Sequence, residues 1–123
     1  MPPSPLVSVV IPTYYRNERL EKAIKSVKNQ TYPNIEVIVV DGTGESYAEL
    51  VTSNYDCKFI AQDQDHGPHA ARSEGAIAST GDYIQFLDDD DQIHPEKIEK
   101  QVAFLEKNPK VGVVYCGIEY EKG

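Results

Sequence analysis

A chain of 123 residues, 40% hydrophobic and 26% charged, suits a single globular domain with one core. Twenty acidic against twelve basic residues give a net charge of −8, which argues against a nucleic-acid backbone or an anionic membrane surface as partner, since both call for a clustered basic face. An acidic protein still accommodates an anionic small molecule when a divalent cation lies between them.

The opening "MPPSPLV" has neither a basic region nor a long apolar core. Residues 1–5 therefore read as a Pro-rich leader, not as a signal peptide or an anchor. No apolar run is long enough to cross a bilayer, and a soluble cytoplasmic chain is the expectation.

"LVSVVIP" (6–12) is a short β-branched run, the pattern of a strand buried on both faces. The period then changes. Leu20, Ala23, Ile24 and Val27 fall on one face of a helix over 18–30, for which Asn17 is the predicted cap. "IEVIVV" (35–40) is a second buried strand, ending at Asp41-Gly42, and a weaker helix is predicted over 45–53. "CKFIA" (57–61) reads as a third strand. The helix predicted over 67–79 offers small residues, Ala71, Gly75 and Ala78, to its packed face. "DYIQFL" (82–87) is a fourth strand, followed by a helix over 95–107 with Pro95 in its first turn and Ile98, Val102 and Leu105 inward. "VGVVYC" (111–116) is a last strand. Cys57 and Cys116 sit in short apolar segments and read as buried free thiols.

Repeated β-α-β units with short connections predict the α/β class: one domain over residues 6–123, with a mostly parallel sheet flanked by helices on both faces. Ligands of such sheets bind beyond the carboxyl ends of the strands. Those ends carry Pro12-Thr13-Tyr14-Tyr15-Arg16, Asp41-Gly42, Asp63-Gln64-Asp65-His66-Gly67 and the run Asp88–Asp91. Acids, aromatics and an arginine thus converge on one edge. In the run, alternation along a strand gives Asp88 and Asp90 one direction and Asp89 the other. Two carboxylates on one side suit a hard cation such as Mg²⁺ or Mn²⁺, which would also relieve their repulsion. The competing reading is a solvated cap for the following helix, which accounts for one or two aspartates better than for four. An EF-hand is excluded by Ile93 at the position that needs glycine.

"VSVVIPTYYRNERLEKAIKSVKNQTYPNIEVIVVDGTGES" and "DQDHGPHAARSEGAIASTGDYIQFLDDDDQIHPEKI" together resemble the nucleotide-sugar-binding half of a family 2 glycosyltransferase with the Rossmann-like GT-A fold, from about Val7 to Cys116. The resemblance implies that Pro12, Thr13 and Tyr14 cradle a nucleobase, that Asp41 accepts its imino hydrogen, and that Arg16 approaches the phosphates. For Asp41, a turn cap ahead of Gly42 is an equally simple role. By the same resemblance Asp65 and Arg72 face the donor, Asp90 with Asp88 ligates Mn²⁺ or Mg²⁺, and Asp88 or Asp89 reaches ribose or sugar hydroxyls. Ser73, where the family often has Asn, and "DGTGES", in place of a longer acidic turn, depart from the pattern.

The implied activity is inverting, metal-dependent transfer from a UDP- or GDP-linked sugar to an acceptor that the residues do not identify. A general base is expected from an acceptor-binding half that this chain lacks, and Glu119 and Glu121 have no motif to recommend them. A non-catalytic nucleotide-sugar binding module is the alternative. A sheet edge left uncovered is a reason to expect a homo-oligomer. A nucleotidyltransferase would need a glycine-rich loop where "PTYYRNE" has none.

Overall fold

The computed structural model describes residues 4–108. Four strands, β1 (Val7–Thr13), β2 (Ile35–Asp41), β3 (Lys58–Ala61) and β4 (Tyr83–Phe86), form one sheet in the order β3-β2-β1-β4. Every pairing is parallel, with Val7 opposite both Ile35 and Tyr83, so all carboxyl ends share one edge. Helices α1 (Asn17–Lys28), α2 (Glu49–Ser53), α3 (Pro68–Ala78) and α4 (Lys97–Lys107) connect and follow the strands. The predicted strand 111–116, with Cys116, Glu119 and Glu121, lies outside the described residues.

The unbroken apolar runs of β1 and β2 serve two cores, as expected of strands covered on both faces. Val7, Val9 and Ile11 join Val37 and Val39 against α1 and α4, where Leu20, Ala23, Ile24, Val27, Ile98 and Val102 are buried. Val10, Ile38 and Val40 face α3 and Ala71. Each such side chain contributes roughly 1.5–3 kcal/mol by leaving water. Gly75 lets α3 lie close on the sheet, since a Cβ there would overlap Val10 Cγ1. Leu105 is only half-buried, while its neighbour Glu106 accepts the Tyr83 hydroxyl.

At the amino end of the sheet, Glu36 replaces apolar packing with a polar staple. Its carboxylate accepts from Ser8 Oγ (2.5 Å), Thr80 N (2.7 Å), Thr80 Oγ1 (3.1 Å) and Lys58 Nζ (2.8 Å). Burial alone would raise its pKa, but these donors prevail and hold it at about 2.

Three local expectations are corrected. Asn17 is not the cap of α1: Arg16 occupies that position without a side-chain bond, and Asn17 Nδ2 instead donates to the Tyr47 carbonyl (3.1 Å). Pro95 precedes α4 rather than entering its first turn, because its carbonyl accepts Thr31 N while Lys97 N bonds back to His94. The second helix starts at Glu49, not near 45. Thr43 Oγ1 and the Asp41 carboxylate take the amide hydrogens of Glu45, Tyr47 and Ala48, and side-chain acceptors of this kind compete with helix.

Candidate functional site

Parallel in-phase strands set the four connections side by side in strand order. Along the edge come Gln62 after β3, Gly42 after β2, Thr13 and Tyr14 at the end of β1, and the aspartates after β4. An open cleft of about 370 Å³ runs there. Pro12, Thr13, Tyr14, Arg16, Asp65, Arg72, Asp88, Asp89 and Asp90 all line it, together with Gly42, Gln62, Gly67 and Ala71.

Asp41 is the one candidate that does not line the cleft. It is fully buried, and its oxygens accept Thr43 N (2.8 Å), Thr43 Oγ1 (2.7 Å) and Ala48 N (2.7 Å). These bonds make it a turn cap, one of the two roles open in the sequence.

β4 ends at Phe86, and Leu87 N still bonds to Val10 O before the chain turns through Asp88–Asp91. Asp89 points inward, accepting Thr13 Oγ1 at 2.9 Å and, more weakly, Tyr14 N at 3.4 Å. Burial, the leading influence, pushes its carboxyl up against the lowering effect of these donors and Arg16. Asp88 and Asp90 are exposed on the cleft, where Asp88 pairs with Arg72 (3.1 Å) and Asp90 with Arg16 (3.2 Å) and Arg19 (3.9 Å). Thus Asp88 and Asp90 part from Asp89 as the sequence alternation requires, although a turn rather than a strand separates them. One oxygen each of Asp88, Asp90 and Asp91 lie within 4.8 Å of one another. Burial first, then repulsion from Asp90 and Asp88, pushes the Asp91 carboxyl up. Three crowded, hard oxygen donors are a donor set that fits Mg²⁺ or Mn²⁺.

Tyr14 is half exposed over the cleft, edge-to-face with Tyr15 (centroids 4.8 Å), which meets Tyr47 in the same way. Tyr15 takes a left-handed φ of 55°, the sharp turn that carries β1 into α1. Asp65 Oδ1 caps its own turn on Gly67 N (2.8 Å). His66 pairs with Asp63 (3.0 Å), while His69 and His94 are exposed.

Sequence reasoning missed Asp91 and Gln62. Asp91 was legible as the fourth acid of the run, but alternation along a strand excludes it and only the turn brings it in. Gln62 carried no signal beyond its place directly after the third strand.

Residues 8–123 match the family Glycosyl transferase family 2. An uncharacterized glycosyltransferase of Haemophilus influenzae is 36% identical over 124 residues, covering 94% of this chain and 50% of the relative. A GalNAc(5)-diNAcBac-PP-undecaprenol beta-1,3-glucosyltransferase of Campylobacter jejuni is 35% identical over 95 residues, covering 72% of this chain and 31% of the relative. Among solved structures, S. aureus TarS 1–349 in complex with UDP-GlcNAc superposes with a TM-score of 0.78 at 24% identity, over 85% of this chain and 32% of that one. The mannosyltransferase PcManGT from Pyrobaculum calidifontis, in complex with GDP-Man and Mn²⁺, gives 0.73 at 21% identity, over 82% and 32%. These likenesses establish the GT-A fold. The chain spans half or less of the length of these relatives. With its parallel sheet, its acidic turn after β4 and this match, the chain belongs to glycosyl transferase family 2.

Proposed function

We propose that this chain is the donor-binding half of an inverting, metal-dependent glycosyltransferase that takes a UDP- or GDP-linked sugar. The observation that carries the reading is the polarity of the cleft. At its β4 end Asp88 and Asp90 line it and form, with Asp91, a cluster of three carboxylates, whereas the residues directly after β2 and β3, Gly42 and Gln62, are uncharged and the Tyr14 ring stands at the end of β1. Relatives bound to UDP-GlcNAc and to GDP-Man with Mn²⁺ support it.

Asp90 and Asp88, with Asp91 beside them, would hold Mn²⁺ or Mg²⁺. A cation bound there supplies Lewis-acid stabilisation of the departing diphosphate. Arg16 and Arg72, paired with these acids, turn their guanidinium groups to phosphate oxygens as ligand enters. Tyr14 offers a stacking face to the base, with Pro12 and Thr13 forming the floor. Asp89 is taken up by the Thr13 hydroxyl and the Tyr14 amide, which leaves Asp88 for ribose or sugar hydroxyls. Asp65 positions the Gly67 turn ahead of α3.

A non-catalytic nucleotide-sugar binding module is the second reading, favoured by one observation. Asp65, Asp88, Asp89 and Asp90, the carboxylates lining the cleft, are each engaged by a backbone, hydroxyl or arginine donor. With ligand bound, Asp65 and Asp89 keep these donors and Asp88 and Asp90 are taken by the cation, which leaves none of the four to deprotonate an acceptor. Calorimetric titration with UDP and GDP, with and without Mn²⁺, tests the donor site. Binding that requires Mn²⁺ and disappears in Asp90→Ala is expected. A folded protein that binds neither nucleotide overturns the reading. Turnover with a simple acceptor separates the enzyme from the binding module.

A further inference from the structure

We propose that the side-chain carbonyl of Gln62 reads the nucleobase, selecting donors that present a ring N–H. The inference rests on the cleft being a nucleoside-diphosphate site. Gln62 follows β3 directly and is only 6% exposed. Its Nε2 donates to Glu74 Oε1 on α3 at 2.7 Å. A carboxylate only accepts, so this bond fixes which way the amide faces. Oε1 is thereby turned away from α3, is buried, and has no partner among the described residues.

Its surroundings place it in the cleft wall. A Cβ added at Gly42 would stand 3.2 Å from Gln62 Oε1 and 3.9 Å from Tyr14 Cδ1. The carbonyl therefore sits beside the bare Cα of Gly42, which the half-exposed Tyr14 ring also approaches. Buried carbonyls are rarely left without a donor, and each one that is calls for an explanation. A ligand donor supplies it.

Strand order says which part of the ligand arrives. The acids follow β4 and Gln62 follows β3, three strand spacings or ~14 Å apart along the edge. A diphosphate held at the acids directs its nucleoside toward Gly42 and Gln62. Uracil offers N3–H and guanine N1–H to a carbonyl. Adenine and cytosine turn an unprotonated ring nitrogen to it, lone pair against lone pair. Asp41, on which the family resemblance puts this role, has both oxygens committed to its own loop and does not line the cleft. Of the two side chains, Gln62 is the one that lines the cleft with an unbonded acceptor.

The test is calorimetry in Mn²⁺ with UDP, GDP, ADP, CDP, N3-methyl-UDP and N1-methyl-GDP, on the wild type, Gln62→Ala and Glu74→Ala. The wild type is expected to bind UDP or GDP, and to bind the matching methylated nucleotide about tenfold more weakly, the scale of one hydrogen bond. Gln62→Ala should lose about tenfold for the unmethylated nucleotide and cease to distinguish the two. Glu74→Ala, which frees the amide to flip, should fall between them. Wild-type indifference to methylation overturns the inference and leaves the donor site standing, as does full discrimination in Gln62→Ala. Should Gln62→Ala fail to fold, the wild-type comparison and Glu74→Ala decide it. A folded wild type that binds no nucleoside diphosphate overturns both readings.

Discussion

Replacing Glu36 by Gln should cost the fold about 2 kcal/mol at pH 7 and almost nothing at pH 2. The carboxylate is held at about 2 against an ordinary 4.5, a difference worth up to roughly 3 kcal/mol at 1.36 kcal/mol per pKa unit. Lys58, one of its principal partners, is half exposed, and solvent screening of that pair brings the figure down to about 2 kcal/mol. Because the folded state lowers the pKa, the stabilisation is fully present above about pH 4.5 and is lost as pH falls toward 2. Glutamine keeps the shape but carries no charge at any pH. Urea denaturation followed by circular dichroism at pH 7, 5, 4, 3 and 2 gives the difference between wild type and variant, from which the other carboxylates largely cancel. A gap near 2 kcal/mol that closes below pH 4.5 is expected, equivalent to a Tm difference of roughly 8 °C at neutral pH. A gap under about 0.5 kcal/mol at pH 7, or one that does not change with pH, refutes the reasoning.

Gly75→Ala should destabilise by about 1–3 kcal/mol despite the better helix former, because the new methyl meets buried Val10 and Val40; an unchanged denaturation midpoint would show that α3 can move off the sheet. Asp41→Ala leaves Thr43 N and the buried Ala48 N without acceptors, at about 1–3 kcal/mol, and should speed hydrogen exchange at those two amides; protection equal to the wild type would show another acceptor in place. Burial raises the Cys57 thiol, so peptide mass spectrometry should find it alkylated by iodoacetamide at pH 7.5 more slowly than a free-thiol peptide, and at the peptide's rate in urea. Equal rates in the folded state would contradict that placement.

A parallel sheet covered on both faces could be read in advance, though not its strand order, because β1 and β2 are largely unbroken apolar, β-branched runs. α1 showed itself through Leu20, Ala23, Ile24 and Val27 at helical spacing. What escaped were choices made by hydrogen bonds rather than by hydropathy. Asn17 has the chemistry of a cap, yet its amide is drawn to a carbonyl thirty residues on. Residues 45–48 have helical composition but surrender their amide hydrogens to Asp41 and Thr43. The site was legible wherever acids and aromatics sit at strand ends. It was not legible at Gln62, where the significance lies in which amide atom lacks a partner, a property no spacing encodes.

The strand order also constrains how the molecule comes into being. β1 lies between β2 and β4, so β4, made after the other three described strands, must dock on the first of them. Before that moment Asp89 has no Thr13 to hold, and the acidic turn has no arginine from α1 beside it. A nascent chain ending at α3 would carry both cores in part and no working cleft. Pairings this distant in sequence form slowly, since a large loop must close before any bond rewards it. A nucleotide bound across this edge would bear on β3 and β4 together, and so would act as a clasp on that long-range pairing.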